Sequence, residues 1–312
     1  MTYKRKIILF LITFLLLHAA MVSVFFTITT KTSSLVENQK HFESLKEAPK
    51  FLFTGDSHPT RSINENEINN SFKLTFFGEG PILTYYRLKY VLEELQLKPE
   101  YVFLQADISR FSANYFRYAE NQFFYNNYVN YSELLEEEVI NNERYLKSIA
   151  YQLFPYIEIK NIIKKNNTVK TKRGLQKFSD FSEIQKQVNT ELFIKHKLLS
   201  NNPENLYYED ALIYFRKTIE LCQSHQIKVI GIKYPVTDYY LNTLKHFCGE
   251  EMLKNPPQDK ILLEYNIPIW DFEKQYQVKH DYFFDSHHMN ENGKAAFTAV
   301  LKNKIINELS EK

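Results

Sequence analysis

Hydrophobic and polar positions divide this chain into an apolar opening, a polar stretch, and then short apolar runs alternating with helix-period segments. Residues 7–28 are an uncharged, largely apolar run of 22 residues. As a helix such a run spans about 33 Å, enough to cross a hydrocarbon core of roughly 30 Å. Residues 29–49 are polar and predict a linker. Lys50-Phe51-Leu52-Phe53-Thr54 then reads as a buried strand, closed by the turn Gly55-Asp56-Ser57-His58-Pro59. A second strand is predicted over 72–77, ended by Gly78-Glu79-Gly80-Pro81. Over 82–97, Leu83, Tyr86, Leu88, Val91, Leu92 and Leu95 recur at helical spacing. A third strand covers 101–106 and stops at Asp107.

The stretch 112–202 is rich in Asn, Tyr, Lys and Glu, and no clear apolar strand interrupts it. It predicts a helical insertion over the core. Alternation then resumes with a helix over 204–225, a strand over 228–234, a helix over 236–253, a short strand over 267–272 and a closing helix over 292–309. Single apolar strands alternating with helices predict a parallel sheet covered on both faces. In such sheets ligands bind at the carboxyl ends of the strands, near a reversal of strand order. Three polar motifs follow predicted strands directly, at Gly55, at Gly78 and at Asp107. The expected organisation is a tail over 1–6, an anchor over 7–28, a linker over 29–49, and one α/β domain over 50–312 carrying its insertion.

Charge sets the expected orientation. Lys4, Arg5 and Lys6 precede the apolar run and Lys31 follows it, which predicts the N-terminus inside and the rest translocated, a single-pass anchor in the inner or plasma membrane. A cleaved signal peptide is the competing reading, but Ala19 and Ala20 lie inside the run rather than beyond it. With 39 basic against 37 acidic residues the net charge is +2, without the excess expected of a nucleic-acid binder. The local basic group Lys164, Lys165, Lys170, Lys172 and Arg173 suits a solvated surface, or a face toward anionic lipid or polymer. Spacing leaves the pairing of Cys222 and Cys248 open.

Candidate chemistry starts at Ser57. A serine directly after a buried strand projects from the carboxyl edge of the sheet, and Gly55 permits the tight turn. Alone, such a serine reads equally well as a helix N-cap. The second motif is Phe283-Phe284-Asp285-Ser286-His287-His288-Met289-Asn290-Glu291-Asn292-Gly293. Asp285 and His288 are three apart, so one local turn can set the carboxylate beside the imidazole. A carboxylate on Nδ1–H fixes the tautomer and leaves Nε2 to take a proton from a serine. The two motifs lie at opposite ends of an α/β chain, and together they point to acyl chemistry.

With Gly-Asp-Ser after the first core strand and Asp-x-x-His before the last helix, the sequence resembles the SGNH/GDSL hydrolase superfamily over about residues 50–110 and 204–310. It is particularly similar to the membrane-anchored envelope branch, which includes proteins of polysaccharide O-acetylation and teichoic-acid D-alanylation. The resemblance implies a three-layer α/β/α fold with a mostly parallel, flavodoxin-like sheet. It also implies Ser57 as nucleophile, His288 as base and Asp285 as its orienting carboxylate. The oxyanion hole would use backbone N–H groups of Ser57 and of Gly80 or Gly78. Asp56, His58, Asp107 and His287 are expected at the edge of the site. Where the family carries Gly-x-Asn-Asp, this chain has Leu104-Gln105-Ala106-Asp107, and an ionised Asp107 cannot donate a hydrogen bond. Losing one oxyanion donor removes about 2.7–4 kcal/mol of transition-state stabilisation, a departure that favours acyl transfer over hydrolysis.

The implied function is extracytoplasmic acyl transfer or ester hydrolysis, in particular O-acylation of a cell-envelope polysaccharide. The implied partners are the membrane, a multi-pass acyl-donor membrane protein, and a polysaccharide or lipid-ester substrate. A carboxylesterase or lipase acting with water is one alternative, and a non-catalytic envelope scaffold is another. A metallophosphoesterase would use Asp56, His58, Asp285, His287 and His288 as ligands. Its intervening Gly-Asn-His and Gly-His-x-His blocks are missing, so no metal or cofactor is expected.

Overall fold

Five short strands pair in parallel in the order β2-β1-β3-β4-β5, where β1 is Phe51–Gly55, β2 Ser71–Thr75, β3 Tyr101–Gln105, β4 Lys228–Lys233 and β5 Ile269–Asp271. In this computed structural model, residues 3–32, 34–113, 128–158 and 177–309 are described. Among the described residues, the α-helices are α1 Tyr3–Thr32, α2 Ser34–Glu43, α3 Ser57–Ser62, α4 Pro81–Lys89, α5 Tyr131–Glu136, α6 Asn142–Leu153, α7 Glu183–Leu192, α8 Glu209–Ser224, α9 Asp238–Cys248, α10 Glu250–Lys254, α11 Pro257–Glu264 and α12 Glu291–Leu309.

The chain forms two compact units, Met1–Glu43 with Glu120–Thr171, and Ser44–Ala119 with Lys172–Lys312. The described part of the stretch 112–202 is thus divided between them. In the first unit, α1 contains the 26-residue segment Tyr3–Ile28, whose most apolar stretch has a mean hydropathy of 2.6, long enough to cross a membrane. Two of its hydroxyls bond to the helix itself, Thr13 to the Leu9 carbonyl at 2.8 Å and Thr27 to the Ser23 carbonyl at 2.9 Å. Those bonds satisfy them without water. His18 meets the Tyr156 hydroxyl at 3.2 Å and lies edge-on to Phe154.

In the second unit, every residue of β1 and β3 is buried, as expected of inner strands covered on both faces. Phe53 stacks on Phe103 with ring centroids 4.5 Å apart, and Phe103 packs on Trp270 across β4. β2 is an edge strand with alternating burial. The predicted extension of this strand to residue 77 fails because Phe76 is the last residue to bond across, to the Gly55 carbonyl at 3.1 Å. The chain then turns at Gly78, whose φ of 75° suits glycine.

Two predicted helices are interrupted. The one over 236–253 breaks at Gly249, with φ 77°, into α9 and α10. The one over 204–225 becomes a short 3₁₀ turn, Pro203–Leu206, followed by α8. α11, entered through Pro256-Pro257, was not predicted from the pattern. Both cysteines are free thiols, and burial pushes Cys222 up to about 12 and Cys248 up to about 11.

Candidate active site

From β1 the chain steps to one side, into β2, and from β3 it steps to the other. The order therefore reverses between β1 and β3, and the crevice outside their carboxyl ends is where such a sheet places a ligand. Ser57 follows β1 and Asp107 follows β3, one on each side of that reversal.

The turn into Ser57 needs glycine. Gly55 has φ 138°, and a Cβ there would lie 2.2 Å from Gln105 Oε1. Asp56 is the residue that caps α3, its Oδ1 accepting from the His58 N–H at 2.9 Å. Ser57 is the first helical residue, so its hydroxyl is not used as a cap. It bonds instead to His288 Nε2, with Oγ at 2.8 Å, and His288 Nδ1 meets Asp285 Oδ2 at 2.8 Å. The carboxylate on Nδ1 holds the proton there, so Nε2 accepts from the serine hydroxyl. The predicted trio, 231 residues apart at its extremes, is in contact.

The loop carrying the acid and base is tied at several points. Asp285 Oδ1 accepts from the His287 and His288 backbone N–H groups at 3.0 and 2.9 Å. Phe283 and Met289 form an antiparallel bridge, and Phe284 N–H donates to the His288 carbonyl at 2.8 Å. Thr237, at the start of α9, donates through both N–H and Oγ1 to the Ser286 carbonyl, at 3.0 and 2.8 Å. Asn290 accepts from the N–H groups of Asn292 and Gly293, starting α12. Gly293 is required by space, since a Cβ would meet the Tyr282 carbonyl oxygen at 2.2 Å.

Burial alone would raise the Asp285 pKa. The rings of His287 and His288, with hydrogen bonds from His288 and His287, instead hold it far below the usual carboxylate range. At neutral pH Asp285 is an anion.

Beneath Ser57 lies a polar layer that the sequence reading missed. Gln105, fully buried at the end of β3, accepts from the Asp56 N–H at 2.7 Å and donates to Asp107 Oδ2 at 2.7 Å. Asp107 also accepts from the Tyr234 N–H at 2.7 Å, and its Oδ2 lies 3.0 Å from His58 Nδ1. Asp107 is therefore an acceptor in a structural network. Burial alone would lower the His58 pKa, but Asp107, with Asp56 and Asp285, raises it to about 9. His287 goes the other way. Burial, with His288, His58 and Arg61 nearby, holds it neutral against the pull of Asp285.

Both edge histidines lie inside the site rather than at a solvated rim. His58 is 1% exposed and His287 5%. His287 stacks on Phe193 at 3.9 Å, and Tyr240 packs beside it. Of the oxyanion candidates, Gly80 caps α4 and is buried, and Gly78 lies in the turn before it, both at the carboxyl end of the strand beside β1. The same layer holds a buried ion pair between Arg87 and Glu79, and Arg110 donates to Thr84 Oγ1 and to the Gln105 carbonyl.

No family model and no curated protein matches the chain. Among solved structures, it is similar to a GDSL-like lipase from Bacteroides thetaiotaomicron, at 12% identity and a TM-score of 0.42, covering 88% of this chain and 98% of that one. It is also similar to an acetylxylan esterase from Geobacillus stearothermophilus, solved as a catalytic mutant, at 8% identity and a TM-score of 0.40, covering 86% and 97%.

Proposed function

We propose that the chain is a serine acyl-ester enzyme of the SGNH/GDSL type, tethered to a membrane by α1, and that it passes an acyl group from an ester or thioester donor to a hydroxyl acceptor. The observation that carries this reading is the unbroken hydrogen-bonded line from Ser57 Oγ to His288 Nε2 and from His288 Nδ1 to Asp285, at 2.8 Å each. In the first step the Ser57 hydroxyl proton moves to Nε2 as Oγ bonds to the donor carbonyl carbon. Collapse of the tetrahedral intermediate expels the donor alkoxide or thiolate, which takes that proton from His288. In the second step His288 removes the acceptor's proton, the acceptor oxygen attacks the acyl carbon, and the proton returns to Ser57. N–H groups of Ser57 and of Gly80 or Gly78 serve the developing oxyanion.

A membrane-tethered site suits an acceptor held at the same surface, and the reading extends to a sugar hydroxyl of an envelope polysaccharide, with the catalytic unit on the outer face. A multi-pass membrane protein would supply the acyl group. A fluorophosphonate probe on the full-length chain in detergent tests the nucleophile. Labelling of Ser57, lost in Ser57→Ala and in His288→Gln, is expected. A folded protein that does not label makes the chain a scaffold. Product analysis with and without polysaccharide then separates transfer from hydrolysis.

A further inference from the structure

We propose that His58, His287 and His288 together form a binding site for a borderline divalent cation of the zinc class, and that the bound ion silences Ser57 by occupying its base. One nitrogen from each ring lies within 4.8 Å of the other two, from residues 58, 287 and 288. Ring centroids are 5.8 Å apart for His58 and His287, 5.6 Å for His58 and His288, and 4.0 Å for His287 and His288. Tetrahedral zinc with bonds of about 2.0–2.1 Å puts ligand nitrogens roughly 3.4 Å apart, so a closure of no more than ~1.4 Å, within reach of side-chain rotation, completes the set.

Three further observations favour a metal over chance crowding. Each imidazole has a carboxylate behind it. His58 Nδ1 is 3.0 Å from Asp107, His287 Nδ1 is 3.3 Å from Asp285, and His288 Nδ1 is 2.8 Å from Asp285. That is the outer shell that orients metal-bound imidazoles and raises their basicity. His58, almost wholly buried, makes no hydrogen bond through either nitrogen among the described residues, although Nδ1 lies at ion-pair distance from Asp107. The Nε2 of this buried imidazole meets no partner, and it ligates as the incoming ion displaces its proton. The donor set is also selective, since three imidazoles without a thiolate suit Zn²⁺, Ni²⁺ or Cu²⁺ and not Mg²⁺ or Ca²⁺. Three ligands leave a fourth position for water or the Ser57 hydroxyl.

Silencing follows from His288 Nε2, which accepts from Ser57 and cannot hold a metal and take a proton at once. This half rests on the acyl-enzyme reading above, and the binding half does not. The test is calorimetric titration of the full-length chain in detergent with ZnCl₂, beside fluorophosphonate labelling with and without zinc. One-to-one binding is expected, with His58→Gln and His287→Gln each weakening it at least about tenfold. The exposed His246→Gln should not weaken it.

Added zinc should stop wild-type labelling, and a chelator should restore it. Because the variants could unfold, Co²⁺ titration of the wild type gives a second readout, the intense visible bands of a four-coordinate ion. No one-to-one binding, binding indifferent to both His58 and His287, or only weak six-coordinate Co²⁺ bands each overturns the site. Zinc bound through these residues with labelling unchanged overturns the silencing. One-to-one zinc binding by a chain that never labels upholds the site and removes the acyl-enzyme reading.

Discussion

Replacing Asp285 with asparagine separates tautomer control from loop structure. The carboxylate accepts three N–H groups: the His287 backbone at 3.0 Å, the His288 backbone at 2.9 Å and His288 Nδ1 at 2.8 Å. Asparagine has nearly the same shape, and its Oδ1 can keep both backbone bonds. Its amide NH₂ would then face Nδ1, and two donors repel. The imidazole must present a bare Nδ1 and carry its proton on Nε2, aimed at Ser57 Oγ. The loop stays while the base is lost. Such a tautomer change lowers kcat about 10⁴-fold in a serine triad, which at 1.36 kcal/mol per decade is about 5 kcal/mol of transition-state stabilisation.

Alanine at Asp285 leaves both backbone donors without their acceptor and should add a stability loss on the order of 2 kcal/mol. Hydrolysis of an activated acetyl ester and the rate of fluorophosphonate labelling report the first effect. Thermal melts of the full chain in detergent report the second. An Asp285→Asn protein that keeps activity within tenfold of wild type would refute the assignment of Asp285 as the group that sets the His288 tautomer.

Gln105→Leu removes the acceptor of the Asp56 N–H and one donor to Asp107. Two such buried losses predict about 3–5 kcal/mol of destabilisation, read as a fall in the denaturation midpoint, and a shift under 0.5 kcal/mol would show the bridge to be idle. Gly55→Ala forces a Cβ onto Gln105 Oε1 at a φ of 138°. Backbone strain of roughly 1–3 kcal/mol should appear in the melt, with a drop in labelling because α3 begins two residues on. Glu273, mostly buried, is raised by burial and then by Asp271 to about 7, from 4.5. A carboxyl raised in the fold favours folding while protonated, so stability falls between about pH 4.5 and 7. The fall is at most ~3 kcal/mol, and less after screening of its exposed part. Glu273→Gln should flatten that slope in melts at pH 5 and 8, and an unchanged slope would place the titration elsewhere.

The parts of this molecule legible in the sequence were those that local pattern specifies. Residues 51–54, 101–105 and 229–232 read as strands because inner strands of a parallel sheet bury both faces and leave unbroken apolar runs. Asp285 and His288 read as a pair because one turn brings them together, and Ser57 read as a site residue because it ends such a run. Element ends were less legible. Gly249 looks like an ordinary residue inside a helix-period stretch until its positive φ is seen, and the Pro256-Pro257 entry to α11 reads as a loop although proline is well tolerated at a helix start.

The polar layer was hidden for a different reason. Gln105 ends an apolar run, where a polar residue reads as punctuation, and one of its two side-chain partners, Asp56, is 49 residues away, just past β1. His58 reads as an edge residue because nothing local says that Asp107, past the end of the neighbouring strand β3, lies behind it. Periodicity reports which face of an element is buried. It does not report which buried polar groups from different strands must satisfy one another, and at this sheet edge that pairing is what holds Ser57 in reach of His288.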